Sequence, residues 1–531
     1  MKSMMTHTTV ISGAKSAVLG LALISLVNCS SSDDTTPTSG GSAALQGPLV
    51  FVNNTGDKTL TNVALKGDSG NTVRGTIASA QFDNVALGDM QFSEGEWVFV
   101  NLGAANKVAT IDPLTGAQPV HRTNLAAGTR PVHLYRDPTD GEVIWVGNDG
   151  DNAAGTTTPG DDLINCNNPA RVGGAVTGSS VTILRNSHVG PDGNPPTVEK
   201  TLCLLASGHK VAAFPQPTGA NRLIPKRVFV SSEISGEIAV VDNEPASPTK
   251  WQMIGRVDLC NPLKETCNNE SATSLTTPFT PNTSGPHGIR WSKLTGKVYS
   301  IQEGYGQIAE IDPVTLAKTI ILDLAGTPYT SYGITPDGRF LLLRGQTLTP
   351  QATKLGVLDL SVTPTVRTDF NNIPELDGTA PGSFKFSPDG KRFYILAGGG
   401  ARAAAATKKD RLFAFDSSTL TATPAALRLL RDIPLVVTGA GSHNLDVLVQ
   451  GSGEAKYLVV SNSTDNSISI INATDNQEKQ KVTVGPTPAG VMVYQPGAAS
   501  AGNQATASLT GGSKAKSSAL PDQLDDHGMP E

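Results

Sequence analysis

Apolar and polar residues alternate along short segments of this chain, and each segment stops at a cluster of small polar residues. The stretch VFVNLGAANKVATIDPLTG, which begins at Val98, contains two such segments joined by a tight turn, and it predicts an antiparallel hairpin. The same pattern begins again at Val228, Val298 and Tyr457. One hairpin is not stable alone in water, so the recurrence predicts a repeat architecture.

Each repeat contains four strand-like segments, and the second is the most regular. Turns such as ITPDGRFLLL and FSPDGKRFYIL precede it, where Pro, Asp and Gly favour a tight reversal. Third strands end in Asp or Asn, whose side chains can accept bonds from the next turn; these are Asp112, Asp242, Asp312, Asp359, Asp416 and Asn472. Second strands near Val50, Val98, Ile144, Val228, Val298, Phe340, Phe393 and Tyr457 favour eight units, with seven as the alternative.

The two ends of the repeat region complement each other. PLVFVNN, which begins at Pro48, has the pattern of a second strand with no first strand before it, and VGPTPAGVMVY, which ends at Tyr494, has that of a first strand with no second. We therefore predict an all-β fold, a β-propeller of four-stranded antiparallel blades whose ring is closed by the C-terminal strand.

These segments resemble the YVTN-type β-propeller repeat from about Pro48 to Tyr494. The wider group that the chain resembles includes lactonase-type propellers, the haem-d1 propeller of cytochrome cd1 and the propeller of nitrous oxide reductase. The resemblance implies the fold, but not one activity, because propellers carry many unrelated functions.

Residues 1–28 are predicted to be a signal peptide, since AVLGLALISLV is an apolar run too short to span a bilayer comfortably. The following LVNC resembles a bacterial lipobox, with Asn28 in place of the usual small residue, and predicts lipidation of Cys29. Residues 29–47 have the composition of a flexible tether, residues 48–496 form the predicted propeller, and residues 497–531 a low-complexity tail. We expect a cell-envelope lipoprotein, on the outer membrane because Ser30 follows the cysteine.

Four further cysteines, an even number in an exported chain, predict two disulfides. Three pairings of these cysteines are possible, and Cys166–Cys203 with Cys260–Cys267 joins the residues that lie nearest in sequence. A zinc site is the alternative interpretation, but the Cys-x2-Cys spacing typical of such sites is absent. Long insertions follow Asn148, Asn243 and Gly398, and long loops are often functional.

Known catalytic motifs are absent from the sequence, including nucleophile-elbow, Walker A, HExxH, dinucleotide-binding and c-type haem motifs. Three histidines, His209, His287 and His443, occupy one repeat position at the start of first strands; Tyr332, Gly382 and Ala489 occupy it in other blades, and His133 lies one place further along. First strands line a propeller's channel, so these histidines could hold copper, zinc, iron or haem there.

The lactonase-type resemblance implies a cation held by carboxylate and amide groups, for which Glu303, Glu233, Asn101 and Asn148 are candidates by position. The net charge of −6 and the lack of a basic–aromatic patch exclude nucleic acid as an expected partner.

We expect a binding or scaffold module for an envelope protein or small ligand rather than an enzyme. A metal- or haem-binding oxidoreductase-like propeller is the alternative, and a lactonase-like hydrolase the second alternative.

Overall fold

The described residues form 32 β-strands, arranged as eight four-stranded antiparallel sheets. The computed structural model describes residues 47–93, 97–113, 120–150, 166, 178–186, 195–206, 208, 210–219, 221–268, 275, 279–398, 408, 410–423, 425–435, 442–449 and 453–495. They all belong to the larger of two separate units of the chain, Ala44–Glu531; of the smaller, Met1–Ala43, no residue is described. The predicted signal peptide, Cys29, the tether up to residue 46, the tail, His209 and much of the long insertions lie outside the described residues. Within them, no helix has the length and apolar character that crossing a bilayer requires.

The eight sheets are the predicted blades. The first four contain β1 (Leu49–Asn54), β2 (Thr59–Ala64), β3 (Thr72–Ile77), β4 (Met90–Phe92), β5 (Val98–Leu102), β6 (Lys107–Ile111), β7 (Val120–Asn124), β8 (Pro131–Arg136), β9 (Val143–Asn148), β10 (Gly178–Arg185), β11 (Thr197–Ala206), β12 (Lys210–Ala213), β13 (Arg227–Ser232), β14 (Glu237–Asp242) and β15 (Met253–Asp258). The others contain β16 (Pro286–Trp291), β17 (Val298–Gln302), β18 (Gln307–Ile311), β19 (Lys318–Asp323), β20 (Tyr329–Ile334), β21 (Phe340–Leu348), β22 (Gln351–Asp359), β23 (Val366–Asp369), β24 (Ala380–Phe386), β25 (Arg392–Gly398), β26 (Arg411–Asp416), β27 (Arg428–Pro434), β28 (Ser442–Val449), β29 (Ala455–Asn462), β30 (Ser467–Asn472) and β31 (Gln477–Thr483). The last strand, β32 (Pro488–Tyr494), returns to the first blade. Blade 1 combines β32 with β1, β2 and β3, and blades 2 to 8 each take the next four strands. Short 3-10 helices span Ser79–Phe82, Gly103–Ala105, Pro374–Leu376 and Ser418–Thr421.

Ring closure occurs as predicted, through pairing of the last strand with the first. Leu49 of β1 pairs with Tyr494 of β32, and the pairing continues, with one register shift, to Asn54 opposite Pro488. Blade 1 is therefore assembled from both ends of the described chain. The inner edge of β1, which would otherwise be exposed, is covered by β32.

The second strands are buried on both faces, although their alternating pattern is also that of a strand with one solvated side. All residues of β1, β5 and β9 are buried, including the polar side chains of Asn53 and Asn101. The reason is that each blade lies between two others. In β1, Phe51 packs toward blade 2, while Val50 and Val52 pack toward blade 8.

Eight apolar clusters fill the eight interfaces between neighbouring blades. Blades 5 and 6, for example, share a cluster that includes Tyr299, Ile301 and Leu341, and blades 6 and 7 share one built around Phe340 and Phe393. Each cluster takes residues from two blades, so no blade has a complete core of its own. The repeats stabilise one another in the manner of other repeat proteins.

Asp and Asn at the third-strand ends form the predicted turns. The Asp312 carboxylate accepts bonds from the backbone N–H groups of Val314 and Thr315, at 2.8 and 2.9 Å. Equivalent bonds are made by Asp242, Asp359, Asp416 and Asn472. The turn after Asp112 lies largely outside the described residues.

One predicted feature needs correction. The insertion expected from Asn243 to Pro286 contains β15, the fourth strand of blade 4, so the true connection begins only after Asp258. The apolar pattern of β15 is weak because this outer strand, MIGRVD, packs mainly through Met253 and Val257.

Both disulfides form with the pairing that the sequence favoured, with Cα–Cα distances of 5.1 Å for Cys166–Cys203 and 5.7 Å for Cys260–Cys267.

The ring has two distinct ends. The turn face carries the turns between first and second strands and between third and fourth strands; it includes Pro48, whose carbonyl accepts the N–H of Leu65 at 2.9 Å. Turns of neighbouring blades touch on this face, as where Asp389 donates its N–H to the carbonyl of Gly453 at 3.1 Å. The connection face carries the turns between second and third strands and the blade-to-blade connections, because first strands begin and second strands end there. The three long insertions all depart from the connection face, whereas the described chain begins on the turn face.

Ring closure can be tested by ending the chain at Thr487, which removes β32. This deletes the buried side chains of Val491, Met492 and Tyr494, worth about 1.5–3 kcal/mol each, and leaves the inner edge of β1 unpaired. We expect loss of cooperative unfolding, or aggregation, in thermal melts followed by circular dichroism. A chain ending at Gln495 is the matched control and should melt like the full chain; equal melting of both truncations would contradict closure by β32.

Candidate functional site

The first strands form the inner ring of the propeller and line its channel. Neighbouring first strands contact each other in sequence from β32 through β4, β8, β12 and β16 to β20, and β24 contacts β28, which contacts β32. Between blades 6 and 7, β24 contacts β21 and β22. The channel mouth on the connection face is therefore surrounded by the first residues of these strands.

The repeat position of the histidines is a β-bulge. In β16, Pro286 pairs with Gln302 and Gly288 pairs with Ile301, which leaves His287 as the extra residue. A bulge adds one residue to one strand and locally redirects its side chain. The sequence alignment thus identified a real structural feature of the mouth.

Other blades show the same irregularity, with one change from the predicted alignment. Ala489 in β32 and Val132 in β8 occupy the bulge, and in β28 the register shifts between Ser442 and Leu445, around His443. In β20 the bulged residue is Thr330, not Tyr332 as the alignment predicted.

Tyr332 instead points into the core between blades 5 and 6. It pairs with Leu343, and its hydroxyl donates to the carbonyl of Tyr299 at 2.7 Å. Local sequence could not decide whether Thr330 or Tyr332 is the bulged residue, because SYG resembles the PHG of blade 5. The strand register is set instead by pairing with β21.

His287 has a carboxylate beside it at the mouth. Its Nδ1 lies 3.3 Å from Glu303 Oε1, and the two side chains are 27% and 37% exposed. Glu303 belongs to the turn between β17 and β18, and its N–H donates to the carbonyl of Gly285 at 3.0 Å. A partly exposed imidazole next to a carboxylate can bind a proton, a cation or a polar ligand.

The three predicted histidine ligands cannot be compared as a set. His209 and the side chain of His443 lie outside the described residues, so their convergence on His287 stays a prediction. Among the described residues there is no group of three His, Cys, Asp or Glu side chains positioned to hold a metal ion.

His133, one place beyond the bulge in β8, is buried, with Nδ1 3.9 Å from Asp89 Oδ2. Asp89 Oδ2 also accepts the backbone N–H of Leu134 at 3.0 Å, and so joins blade 2 to blade 3. A second carboxylate links blades in the same way: Asp446 accepts from Lys385 of blade 7 at 2.6 Å.

Asp446 also accepts the backbone N–H of Val493, in β32 of blade 1, at 2.7 Å. These charged groups stabilise the inner ring where it meets the channel. The signal for Asp446 was present in the sequence, since it interrupts the apolar strand LDVLV, but its partners belong to other blades.

The disulfide loop Cys260–Cys267 is fixed to the mouth by one carboxylate. Glu265 accepts the Tyr305 hydroxyl and the N–H of Thr283, the latter at 2.9 Å. Hydrogen bonds from Tyr305 and Thr283 lower the pKa of Glu265 below its ordinary value. Gly304 permits this close approach, because an added Cβ would collide with the carbonyl of Thr283.

Buried polar bonds hold the start of the same loop. Asp258 accepts the N–H of Cys260 at 2.8 Å and the side-chain amide of Asn282 at 3.0 Å, and Lys318 donates to the Cys260 carbonyl at 2.6 Å. Burial raises the pKa of Asp258 and lowers the pKa of Lys318. The loop is therefore anchored at both ends and presents a preformed surface beside the mouth.

The lactonase-type candidates have different environments. Asn101 and Asn148 are fully buried, and Asn148 donates its side-chain amide to Ser180 and Thr182 of its own blade at 2.9 and 3.0 Å. Asn54 and Asn462 make the same kind of bond in blades 1 and 8. This recurrence indicates a role in strand pairing for Asn148, whereas Glu233 and Glu303 are on turns of the connection face.

Solved structures resemble this chain at low sequence identity. Dihydro-heme d1 dehydrogenase NirN in complex with DHE is 13% identical, with a TM-score of 0.48, over 84% of this chain and 74% of that one. Apo AztD from Citrobacter koseri is 14% identical with a TM-score of 0.46, over 85% and 99% of the two chains. The periplasmic gluconolactonase PpgL of Pseudomonas aeruginosa is 14% identical with a TM-score of 0.40, over 84% and 98%.

No protein-family model and no curated protein matches the chain. The solved structures share its fold alone, and at these TM-scores they carry no argument about its activity. The site is therefore interpreted from its own geometry.

Docking of the disulfide loop should depend on pH through Glu265. Because its pKa is lowered in the folded state, the carboxylate stabilises the docked loop above the ordinary glutamate pKa of 4.5, and this stabilisation is lost as pH falls below that value. We expect a phosphine reductant to open Cys260–Cys267 faster below about pH 4.5 than at pH 6. The rate is measured by mass spectrometry of trapped thiols, with the buried Cys166–Cys203 pair as internal reference.

Two variants separate charge from hydrogen bonding. Glu265→Gln keeps an acceptor but cannot titrate, so the pH step should disappear; Glu265→Ala removes the acceptor and should give fast reduction at every pH. The control is Glu244→Gln, an exposed residue on the turn face. A pH step that persists in Glu265→Gln would show that another group controls the loop.

Proposed function

We propose that this protein is a lipid-anchored YVTN-type propeller of the bacterial cell envelope that binds a protein partner through its connection face. The observation that carries the proposal is the separation of the two ends of the ring. The described chain begins at the turn face, and the long connections depart from the opposite face. Lipidation at Cys29, with the outer membrane as its site, would tether the chain to the bilayer and leave the connection face free for a partner.

Exposed apolar side chains on the connection face support a protein partner. Leu263 in the disulfide loop is 91% exposed, Leu348 beside the β21–β22 turn 66%, and Ile234 in the β13–β14 turn 58%. They belong to blade 4, blade 6 and the connection between blades 4 and 5. Large apolar side chains exposed on one face of a protein favour association with a partner that covers them.

The anchored loop favours binding for a second reason. The disulfide and the contacts of Glu265 hold the segment around Leu263 in one arrangement before a partner arrives. Less conformational entropy is then lost on association, which increases affinity.

Site-specific cross-linking in intact envelopes tests this orientation. A photo-reactive residue is placed at Leu263 and, as a matched control, at Leu223 on the turn face; these side chains are 91% and 92% exposed. We expect a discrete protein adduct from position 263, and none from position 223.

Adding Glu265→Ala should weaken the adduct at position 263, because the loop loses its acceptor for Tyr305 and Thr283. Adducts of equal yield from both faces, or none from position 263, would argue against a partner on the connection face.

A metal- or haem-binding propeller is the second candidate, and the position of His287 favours it. The imidazole occupies a bulge at the mouth and has the Glu303 carboxylate beside it. His209 and His443 would have to complete the site.

Elemental analysis and an absorption spectrum of protein purified without chelator test this candidate. If it holds, copper, zinc or iron is present near one equivalent and is lost in the His287→Ala/His443→Ala double variant. The control is His121→Ala, which should leave the metal content unchanged. Metal-free, colourless protein would remove this candidate and leave the binding module.

A further inference from the structure

Three apolar side chains are exposed together on the turn face, where blades 4 and 5 meet. Leu223 is 92% exposed, Val314 51% and Leu294 42%. They come from three separate turns, between β12 and β13, between β18 and β19, and between β16 and β17. We call these residues, with Arg222 and Lys293, the turn-face patch.

Hydrogen bonds between the turns hold this patch together. The side-chain amide of Asn221 donates to the carbonyls of Lys293 and Leu294, at 3.2 and 3.0 Å. Arg227 donates to the carbonyls of Pro313 and Val314, at 2.5 and 3.2 Å. The three apolar side chains are thus presented by one connected surface across two blades.

Cations surround the apolar groups. Arg222 and Lys293 are exposed, and neither has an ion-pair partner in the part of the chain that the structure describes. The segments 214–227, 242–252, 292–297 and 312–317 together contain six Lys and Arg but three Asp and Glu, a net charge of +3 in a chain with a net charge of −6.

The acidic side chains of these segments are mostly engaged. Asp312 pairs with Lys297, and Asp242 accepts bonds from Ser247 and Thr249. Glu244 is exposed and reduces the local charge. The unpaired charge at the patch itself remains positive.

The described chain begins on this same face. Pro48 lies beside Leu65 on the turn face, and the predicted tether from Cys29 to Gly47 has 19 residues. A flexible tether of that length has a root-mean-square span of about 24 Å. An anchor at Cys29 would therefore allow the turn face near Pro48 to reach the bilayer.

We propose that the turn-face patch is a membrane-docking surface for the headgroups of anionic phospholipids, a proposal that rests on the lipid anchor of the proposed function. Arg222 and Lys293 contact lipid phosphates, and Leu223, with Leu294 and Val314, enters the boundary between headgroups and acyl chains. Docking fixes the ring with its connection face away from the membrane. One acyl anchor on a flexible tether would not by itself orient the ring.

Electrostatic attraction and the insertion of apolar side chains both contribute to membrane binding by such a surface. A cation near an anionic bilayer changes partitioning about fivefold, the factor that corresponds to about 1 kcal/mol, and this attraction is screened by salt. Inserted apolar side chains add a contribution that salt does not screen. Binding should therefore need both anionic lipid and the exposed leucines.

The experiment measures vesicle binding without the anchor. The chain from Ser30 to Glu531 contains every strand of the closed ring and lacks Cys29. We expect it to co-sediment with vesicles of phosphatidylethanolamine and phosphatidylglycerol, but not with phosphatidylcholine alone, and to be released by high salt. The double variant Arg222→Glu/Lys293→Glu should bind at least twentyfold more weakly, about fivefold for each cation or more.

Matched variants assign the effect to the patch. Leu223→Ser/Leu294→Ser should weaken binding while retaining its salt dependence. Arg74→Glu, beside exposed Val73 on outer strand β3 of blade 1, is the matched control for the single variant Arg222→Glu, because each reverses one charge; Arg74→Glu should bind like the parent protein. Thermal melts establish that every variant is folded.

Several outcomes would overturn the proposal. Absence of vesicle binding by the parent chain would do so, as would equal loss of binding in Arg74→Glu and Arg222→Glu. A protein adduct from a photo-reactive residue at Leu223, without vesicle binding, would identify the patch as a protein interface instead.

The anchor is tested separately, by mass spectrometry of the full chain and by fractionation of Cys29→Ala. Lack of lipid on Cys29 together with patch-dependent vesicle binding would remove the anchor from the proposed function and retain the docking surface. Lipid on Cys29 without vesicle binding would retain the anchor in the proposed function and remove the docking surface.

Discussion

Pairing between β32 and β1 is the contact on which the rest of the molecule depends. Each blade shares its apolar residues with two neighbours, and the two interfaces of blade 1 are complete only when the ring is closed. The closing blade is built from residues near both ends of the described chain, with Leu49 opposite Tyr494. Opening this sheet would expose the inner edge of β1, and it would remove Met492 and Tyr494 from the cluster around Phe51 and Val491 from the cluster around Val50 and Val52.

The same closure explains why the second strands are buried on both sides. A blade in a ring has a neighbour on each face, so both sets of alternating side chains meet apolar or hydrogen-bonded partners. Some polar residues in these strands form bonds within their own blade, as Asn148 does with Ser180 and Thr182. A charged group joins blades at the inner strands, where Asp446 connects Lys385 to Val493.

Ring geometry also assigns different properties to the two ends. On the connection face, the Cys260–Cys267 loop is held over blade 5 by Glu265 and Tyr305, close to the bulge that carries His287. On the turn face, short turns from blades 4 and 5 combine into a basic and apolar surface. One rigid ring can therefore place two kinds of contact on opposite sides, and a change on one face need not disturb the other.

Much of the fold was predictable from sequence because its signals are local. Strand pattern, the PDG turns, the Asp and Asn residues at third-strand ends and the two cysteine pairs each depend on short separations or on a repeated order. The weak strand β15 was missed because an outer strand with few buried residues has little periodic signal. The alignment located the bulge at His287 but misplaced Tyr332, because register depends on pairing with another strand.

The sequence by itself therefore favoured the correct number of blades, with seven as the alternative, and determined the way the ring closes and the repeat position of His287. Only the tertiary structure decided which side chains meet. Glu265 and Tyr305 are 40 residues apart, and Lys385 and Asp446 are 61 apart, so no local pattern relates them. The physical reason is that local periodicity dictates strands and turns, whereas contacts at the mouth and on the turn face arise from packing between blades.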